Sequence, residues 1–304
     1  MIAALWAASA GAGTWVRAPG HGYVQLSLGH TRADHRLTES GQRLPMTDPA
    51  FVPSNFEDVF EDAGFSQVEA ALYAELGLVP GLELFGSLPH RWVRSRWELA
   101  LGSDRIVQRH AGLGDAVVGG RWGRAVGPTV AALAAGVRLP LYDNAPEILG
   151  IEAGNADPYD DRPPLGPGTV DLDLSSAIGV SGANAWGQLE AGVRLHDRQL
   201  GAQLPVRLQA GGRPVPWLAG FADLELLWAI ADGQAPDSYL DAYGKGPLVL
   251  DRQSSVRPGL GALLQPIQGE DPGPVGLLTR IDAVLAGRRV AATTSWTGAL
   301  FVTW

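Results

Sequence analysis

The chain alternates. In "YVQLSLG", Val24, Leu26 and Leu28 fall on one side, and Gln25 and Ser27 fall on the other. In "QVEAALYAELG", Val68, Ala70, Leu72, Ala74 and Leu76 oppose Gln67, Glu69, Tyr73 and Glu75. A helix would spread these carboxylates around its cylinder, whereas a strand sets them in one row. Period two recurs wherever the chain is not loop-like, and helical periodicity is scarce. The spacing predicts about twelve strands, at roughly 22–30, 66–78, 82–91, 114–125, 130–139, 169–180, 185–196, 205–213, 218–229, 254–264, 276–286 and 290–304.

The connectors alternate as well. "VPG" (79–81), "VGPT" (126–129), "SGAN" (181–184) and "PVPW" (214–217) are tight turns, whereas 31–65, 92–113, 140–168 and 230–253 are long and polar. Short connections at one end and long ones at the other are the wiring of an outer-membrane barrel. Segments 197–204 and 265–275 fit that wiring less well.

Charge sorts with the same period. The apolar faces read as uncharged and carry Leu82, Leu84, Val118, Trp122, Leu133, Val137, Leu172, Leu174, Leu189, Val193, Leu224, Leu226, Leu277 and Ile281. The opposite faces collect Glu69, Glu75, Glu83, Asp115, Arg121, Arg138, Asp171, Asp173, Glu190, Arg194, Arg207, Arg257, Arg280 and Asp282, with Arg213, Asp223 and Glu225. These inward residues are the candidate lumen lining.

A soluble sandwich would also keep one face apolar, but its core needs bulky side chains that interdigitate at crystal-like density. Here the apolar faces are Leu, Val, Ala and Gly, with Trp122, Trp217, Trp228, Trp296 and Trp304 near strand ends, where an interfacial aromatic belt would sit. Closure would also remove the edges that a long open sheet exposes. The expected fold is all-β: a transmembrane, antiparallel, up-and-down barrel of about twelve strands over residues 20–304.

Composition adjusts this picture only at the margins. With no Cys in 304 residues, neither a disulfide framework nor a Cys-ligated metal is available. A net charge of −9 argues against a nucleic-acid binder, which would need a basic surface. Gly at 40, Trp at 10 and one Lys, Lys245, suit strands and turns rather than helices. Residues 1–19 read as a leader or a periplasmic N-terminal segment: Ile2 to Ala8 is apolar and Ala8-Ser9-Ala10 is a small-residue site, although no basic residue precedes Arg17. No stretch has the roughly 18 consecutive apolar residues of a membrane helix.

Three segments carry a family resemblance. "GLGDAVVGGRWG" (112–123), "GVRLPLYDNAP" (136–146) and "LGPGTVDLDLSSAIGV" (165–180) occur in that order. They resemble outer-membrane proteins of the MetA-pathway phenol-degradation or "transporter" family and, more distantly, FadL-type channels for hydrophobic compounds. The matching positions are Gly112, Gly114 and Asp115; Gly136, Val137, Arg138 and Pro140; and Leu165, Gly166 and Gly168. The resemblance implies an exported barrel of the bacterial outer membrane that acts as a transporter of undefined substrate.

The candidate chemistry is sparse. Counting Arg91, the inward faces hold ten acids and eight arginines, which suits either a salt-bridged filling or a polar conduit whose charge rows set selectivity. Twelve strands lie between side-chain-filled eight-strand barrels and open sixteen-strand porins, so both are sterically possible. Asp171 and Asp173 share one face of one strand and call for a cation, with Arg138 and Arg194 as flanking candidates. The acidic stretches 55–62 and 157–163 could hold divalent ions that bridge to lipopolysaccharide, or be solvated faces. Phe51, Phe56, Phe60 and Phe65 could form a short amphipathic helix at the mouth, or pack against neighbouring loops.

For enzymatic chemistry there is no G-x-S-x-G elbow and no H-E-x-x-H, leaving only sets such as Ser87 or Ser95 with His90 or His110. The expectation is a monomeric passive channel for small molecules, hydrophobic or aromatic ones above all, with no cofactor and no metal. The alternatives are a closed, partner-binding barrel with a salt-bridged lumen, and an outer-membrane hydrolase.

The ending "SWTGALFVTW" completes the pattern. Trp296, Leu300, Val302 and Trp304 take the outer face, with Thr297, Ala299, Phe301 and Thr303 inward. A terminal aromatic behind alternating apolar positions resembles the signal by which the outer-membrane insertion machinery recognises its clients. Besides that machinery, the expected partners are outer-membrane lipid and lipopolysaccharide.

Overall fold

The backbone ladder closes on itself. Neighbouring strands pair antiparallel in chain order, and the last pairs with the first along Tyr23↔Thr303 to Arg32↔Thr294. The structure, a computed structural model, describes residues 16–48, 60–99, 105–142, 165–166, 169–182, 184–196, 201–232, 253–268, 271–272 and 274–304. Among these no segment is helical.

Fourteen strands belong to one sheet, and two of them prolong staves already present, so twelve staves make the ring. They are β1 (Gly22–Ala33), β2 (Phe60–Val79), β3 (Leu82–Leu99), β4 (Arg105–Leu113 and Asp115–Val126, broken at Gly114), β5 (Thr129–Pro140) and β6 (Asp171–Ser181). The second half comprises β7 (Ala185–His196), β8 (Gly201–Val215), β9 (Leu218–Asp232), β10 (Ser254–Leu264), β11 (Val275–Ala283, prolonged by Ala286–Arg288) and β12 (Thr294–Thr303). Both seam residues, Gly22 and Trp304, lie at the short-turn end. There each backbone N–H donates to the other's carbonyl, at 3.1 and 3.2 Å. A Cβ on Gly22 would lie 2.1 Å from the Trp304 indole, so the closing ring rests where only glycine leaves room.

The wall is built inside out relative to a soluble protein. Outward Leu26, Val118, Leu133, Leu260, Leu285 and Trp228 are each more than half exposed, while inward Gln25, Glu83, Asp171 and Arg280 are buried. So large an apolar surface is stable only against hydrocarbon. It is bounded by two tryptophan rims: Trp122, Trp217 and Trp304 towards the short turns, and Trp92, Trp228 and Trp296 towards the long loops. Trp296 on β12 and Trp304 just past its end are eight residues apart, about 27 Å along an antiparallel strand and roughly 20 Å of height at the usual tilt, comparable with the roughly 25 Å apolar band of such barrels. Arg124 departs from the uncharged outer face: it stands exposed opposite Ala131, next to the turn at 127–128.

Several predicted boundaries shift. β2 and β3 run to Phe60 and Leu99 instead of ending near 66 and 91, and β4 begins at Arg105 within the expected loop 92–113. Beyond the apolar band the outward positions turn polar, so the alternation stops while the ladder continues through Ser66↔Arg94 and Gly64↔Arg96, with Ala63 and Val93 still buried on the inner face. The helix considered around Phe60 and Phe65 is absent: residues 60–65 are paired strand, and Phe51 and Phe56 lie outside the described residues. The last predicted strand, 290–304, is in fact two elements, because Val290–Ala291 leaves the barrel to pair with His35–Leu37, which also pairs with Arg43–Pro45. Leu37, Val284 and Ala292 form the small core of that sheet.

Candidate functional site: a charged lumen above an aromatic floor

Near the short turns an aromatic and aliphatic cluster shares the interior with the charges. Tyr23 on β1, Tyr73 on β2, Phe221 on β9, Leu263 on β10, Leu278 on β11 and Phe301 on β12 form one buried cluster, with Phe85 and Trp186 packed against it. The Tyr23 and Phe301 rings stack at 5.5 Å, and Tyr73 meets Tyr23 edge-on at 6.1 Å. Close approach is bought with glycines: a Cβ on Gly261, Gly276 or Gly211 would lie 2.2 Å from the Phe221, Phe301 or Trp186 ring. This floor draws on six staves, so no single strand reveals it.

Beside the floor, on β2 to β4, the Arg17 backbone N–H donates to Glu83 (2.7 Å), and its guanidinium donates to Glu75 (2.9 Å) while lying 5.1 Å over the Tyr23 ring. Arg121 pairs with Glu83 at 2.5 Å and with Glu75 at 3.6 Å, and Tyr73 donates to Glu75 at 2.7 Å. Thus Arg17, in the expected leader or periplasmic segment, sits inside the barrel.

Farther along the same staves, Arg91 joins Glu69 (2.7 Å), Asp115 (3.3 Å) and the carbonyl of Leu165, and Tyr142 donates to Asp115 at 2.5 Å. Three glycines make the knot possible. A Cβ on Gly114 would lie 2.9 Å from the Arg91 guanidinium carbon, one on Gly112 would meet Leu165 at 2.9 Å, and one on Gly166 would meet the Tyr142 hydroxyl at 2.2 Å. Gly112, Gly114 and Asp115 therefore converge in space with Leu165 and Gly166, although about 50 residues separate the two stretches.

On β5 to β7, Arg138 lies between Asp171 (3.4 Å) and Asp173 (3.5 Å). Arg194 holds Asp173 at 2.6 Å, while His196 and Thr169 each hydrogen-bond Asp171 at 2.8 Å. The two carboxylates thus have two arginines and a histidine between them. On β9 to β11, Arg280 takes Asp223 through two nitrogens at 3.2 and 2.7 Å, Glu225 at 2.9 Å and Asp282 at 3.3 Å. Arg257 reaches Asp282 at 3.4 Å, and Arg207 lies 3.9 Å from Glu225 and opposite Glu190 in register. Of the fourteen residues proposed as lumen lining, eleven are buried and Glu69, Arg121 and Asp173 are half-buried, and their ion pairs fall into networks by angle around the barrel rather than one ring. Arg17, Tyr142 and the Leu165 carbonyl carried no period-two signal and enter only through the fold.

Ser87 and His90 do not form a pair. Ser87 is inward and buried, whereas His90 is on the outer face, its ring 4.3 Å from that of Trp92. Ser95 donates to Gln108 at 2.8 Å. Of the acidic stretches, Asp62 pairs with Arg96, and 157–163 lies outside the described residues.

No family model and no curated protein matches the chain. Among solved structures it resembles a COG4313 outer membrane channel from Pseudomonas putida F1, with a TM-score of 0.66 at 12% identity over 95% of this chain and 97% of that one. A Pseudomonas aeruginosa FadL homologue aligns over 93% of this chain and 90% of its own, at 9% identity and a TM-score of 0.43. The first of these establishes the fold: an outer-membrane type of barrel.

Proposed function

We propose that the protein is a bacterial outer-membrane channel that passes small apolar or aromatic molecules by passive diffusion, related to the MetA-pathway phenol-degradation group that its motifs resemble. The supporting observation is the pairing of an apolar, tryptophan-rimmed outer wall with an interior whose charges neutralise one another above an aromatic floor. In this orientation the short turns face the periplasm and the long loops the exterior. Compensated charges leave few free groups to bind a polar solute, and crossing Tyr23, Tyr73, Phe221 and Phe301 would strip its water. An aromatic solute exchanges one ring contact for another. The barrel acts as a monomer, inserted by the outer-membrane assembly machinery.

Liposomes carrying the refolded protein should admit phenol-sized aromatics faster than sugars of equal mass, with small single-channel currents in planar bilayers. No current and no solute uptake would overturn the channel. The burial of the floor favours a second reading, a closed barrel whose loops bind a partner, and that double negative is the result it predicts.

A further inference from the structure

Above the Trp92 and Trp296 rim, the outer wall of β1 to β4 turns basic. Register places Trp296, His30, Val68, Trp92 and Ala111 in one cross-strand row and Thr294, Arg32, Ser66, Arg94 and Arg109 in the next row outward. Two residues of rise separate the rows, about 7 Å along the strands. Arg32, Arg94 and Arg109 are all exposed. Arg94 and Arg109 are direct cross-strand partners, so two like charges face each other on neighbouring strands. Such a pairing is destabilising unless an anion lies between them. The neighbouring acids do not supply one. Asp62 and Glu98 both engage Arg96. Asp34, held below the usual carboxylate range by its 2.7 Å hydrogen bond with His35, is engaged there. Among the described residues, neither Arg94 nor Arg109 has a carboxylate partner.

We propose that Arg94 and Arg109, flanked by Arg32, form a binding site on the outer wall for the phosphate of a phosphorylated glycolipid of the outer leaflet, the lipid A part of lipopolysaccharide. The guanidiniums match phosphate oxygens in fork geometry, and they stand where the headgroup of a lipid packed on this wall must lie. Below them Trp92, Leu88, Leu113 and Leu28 present the exposed apolar surface that acyl chains cover. No other group of outward arginines on adjacent strands occurs among the described residues: Arg124 stands singly at the opposite end. The site rests on the orientation given above and not on any conduit through the barrel, so loss of conductance leaves it intact, and loss of outer-membrane fractionation removes it.

The test is lipid binding to detergent-solubilised, refolded protein, followed by native mass spectrometry. Bis-phosphorylated lipid A should bind at least about tenfold more tightly than its dephosphorylated form or phosphatidylglycerol. Arg94→Glu, which makes a complementary pair with Arg109 and so favours the fold, should remove that preference, as should Arg94→Ala with Arg109→Ala. Arg124→Ala should leave it unchanged. Heat-modifiable gel mobility verifies folding of each variant. Equal binding of phosphorylated and dephosphorylated lipid A, or unchanged binding by Arg94→Glu, overturns the site. Equal binding of phosphatidylglycerol overturns its assignment to a glycolipid.

Discussion

Arg280 shows how this barrel tolerates charge inside. Its side chain is 1% exposed and those of Asp223 and Asp282 are 0% exposed, so the three share no solvent and depend on one another. A buried pair adds little net stability over an apolar filling, but removing one member strands the rest. Arg280→Met should therefore lower stability by about 3–5 kcal/mol, read as an earlier urea midpoint of the refolded barrel. Adding Asp223→Asn and Asp282→Asn should recover most of it. An unchanged midpoint for Arg280→Met alone would mean that water reaches the network.

At the scale of elements, two devices stand out. The first is the knot that holds the segment at Leu165–Gly166 against β3 and β4 through Arg91, Asp115 and Tyr142. Because the chain has no cysteine, Leu165→Cys is a clean probe. It should resist a polar maleimide in the parent background and become reactive when Arg91→Ala releases the segment. Equal labelling in both backgrounds would show that Arg91 does not hold the segment. The second device is the terminal strand. The backbone bonds between Gly22 and Trp304 survive Trp304→Ala, whereas deleting Trp304 removes them. The substitution should thus cut the folded yield in cells while leaving the urea midpoint after refolding nearly unchanged, and the deletion should reduce both. A substitution that lowers the midpoint and spares the yield would assign the ring to stability rather than to assembly.

Across the whole molecule, the twelve staves and their inside-out wall were legible because one face meets hydrocarbon and the other does not. That boundary imposes period two on every stave, as in Leu172, Leu174 and Ile178 against Asp171 and Asp173. Where it ended, legibility ended: β2 and β3 continue past residues 66 and 91 as paired strand whose outer face is polar, while Ala63 and Val93 stay buried. The candidate site was legible as a list of inward charges but not as partners. Arg138 between Asp171 and Asp173 could be inferred from neighbouring strands. Arg280 with Asp223 spans two strand boundaries, and the two registers and the curvature of the wall set that distance.

By itself the sequence determined which face of each strand meets the bilayer, how many strands there are and which end has the short turns, since each is a local consequence of alternation and turn chemistry. Tertiary structure alone decided the rest. The aromatic floor, the convergence of Gly112, Gly114 and Asp115 with Leu165 and Gly166, and the apposition of Arg94 to Arg109 depend on register between strands. Register is a property of the closed cylinder: shifting one stave by one residue would turn all its side chains to the opposite face, and the ring would no longer close.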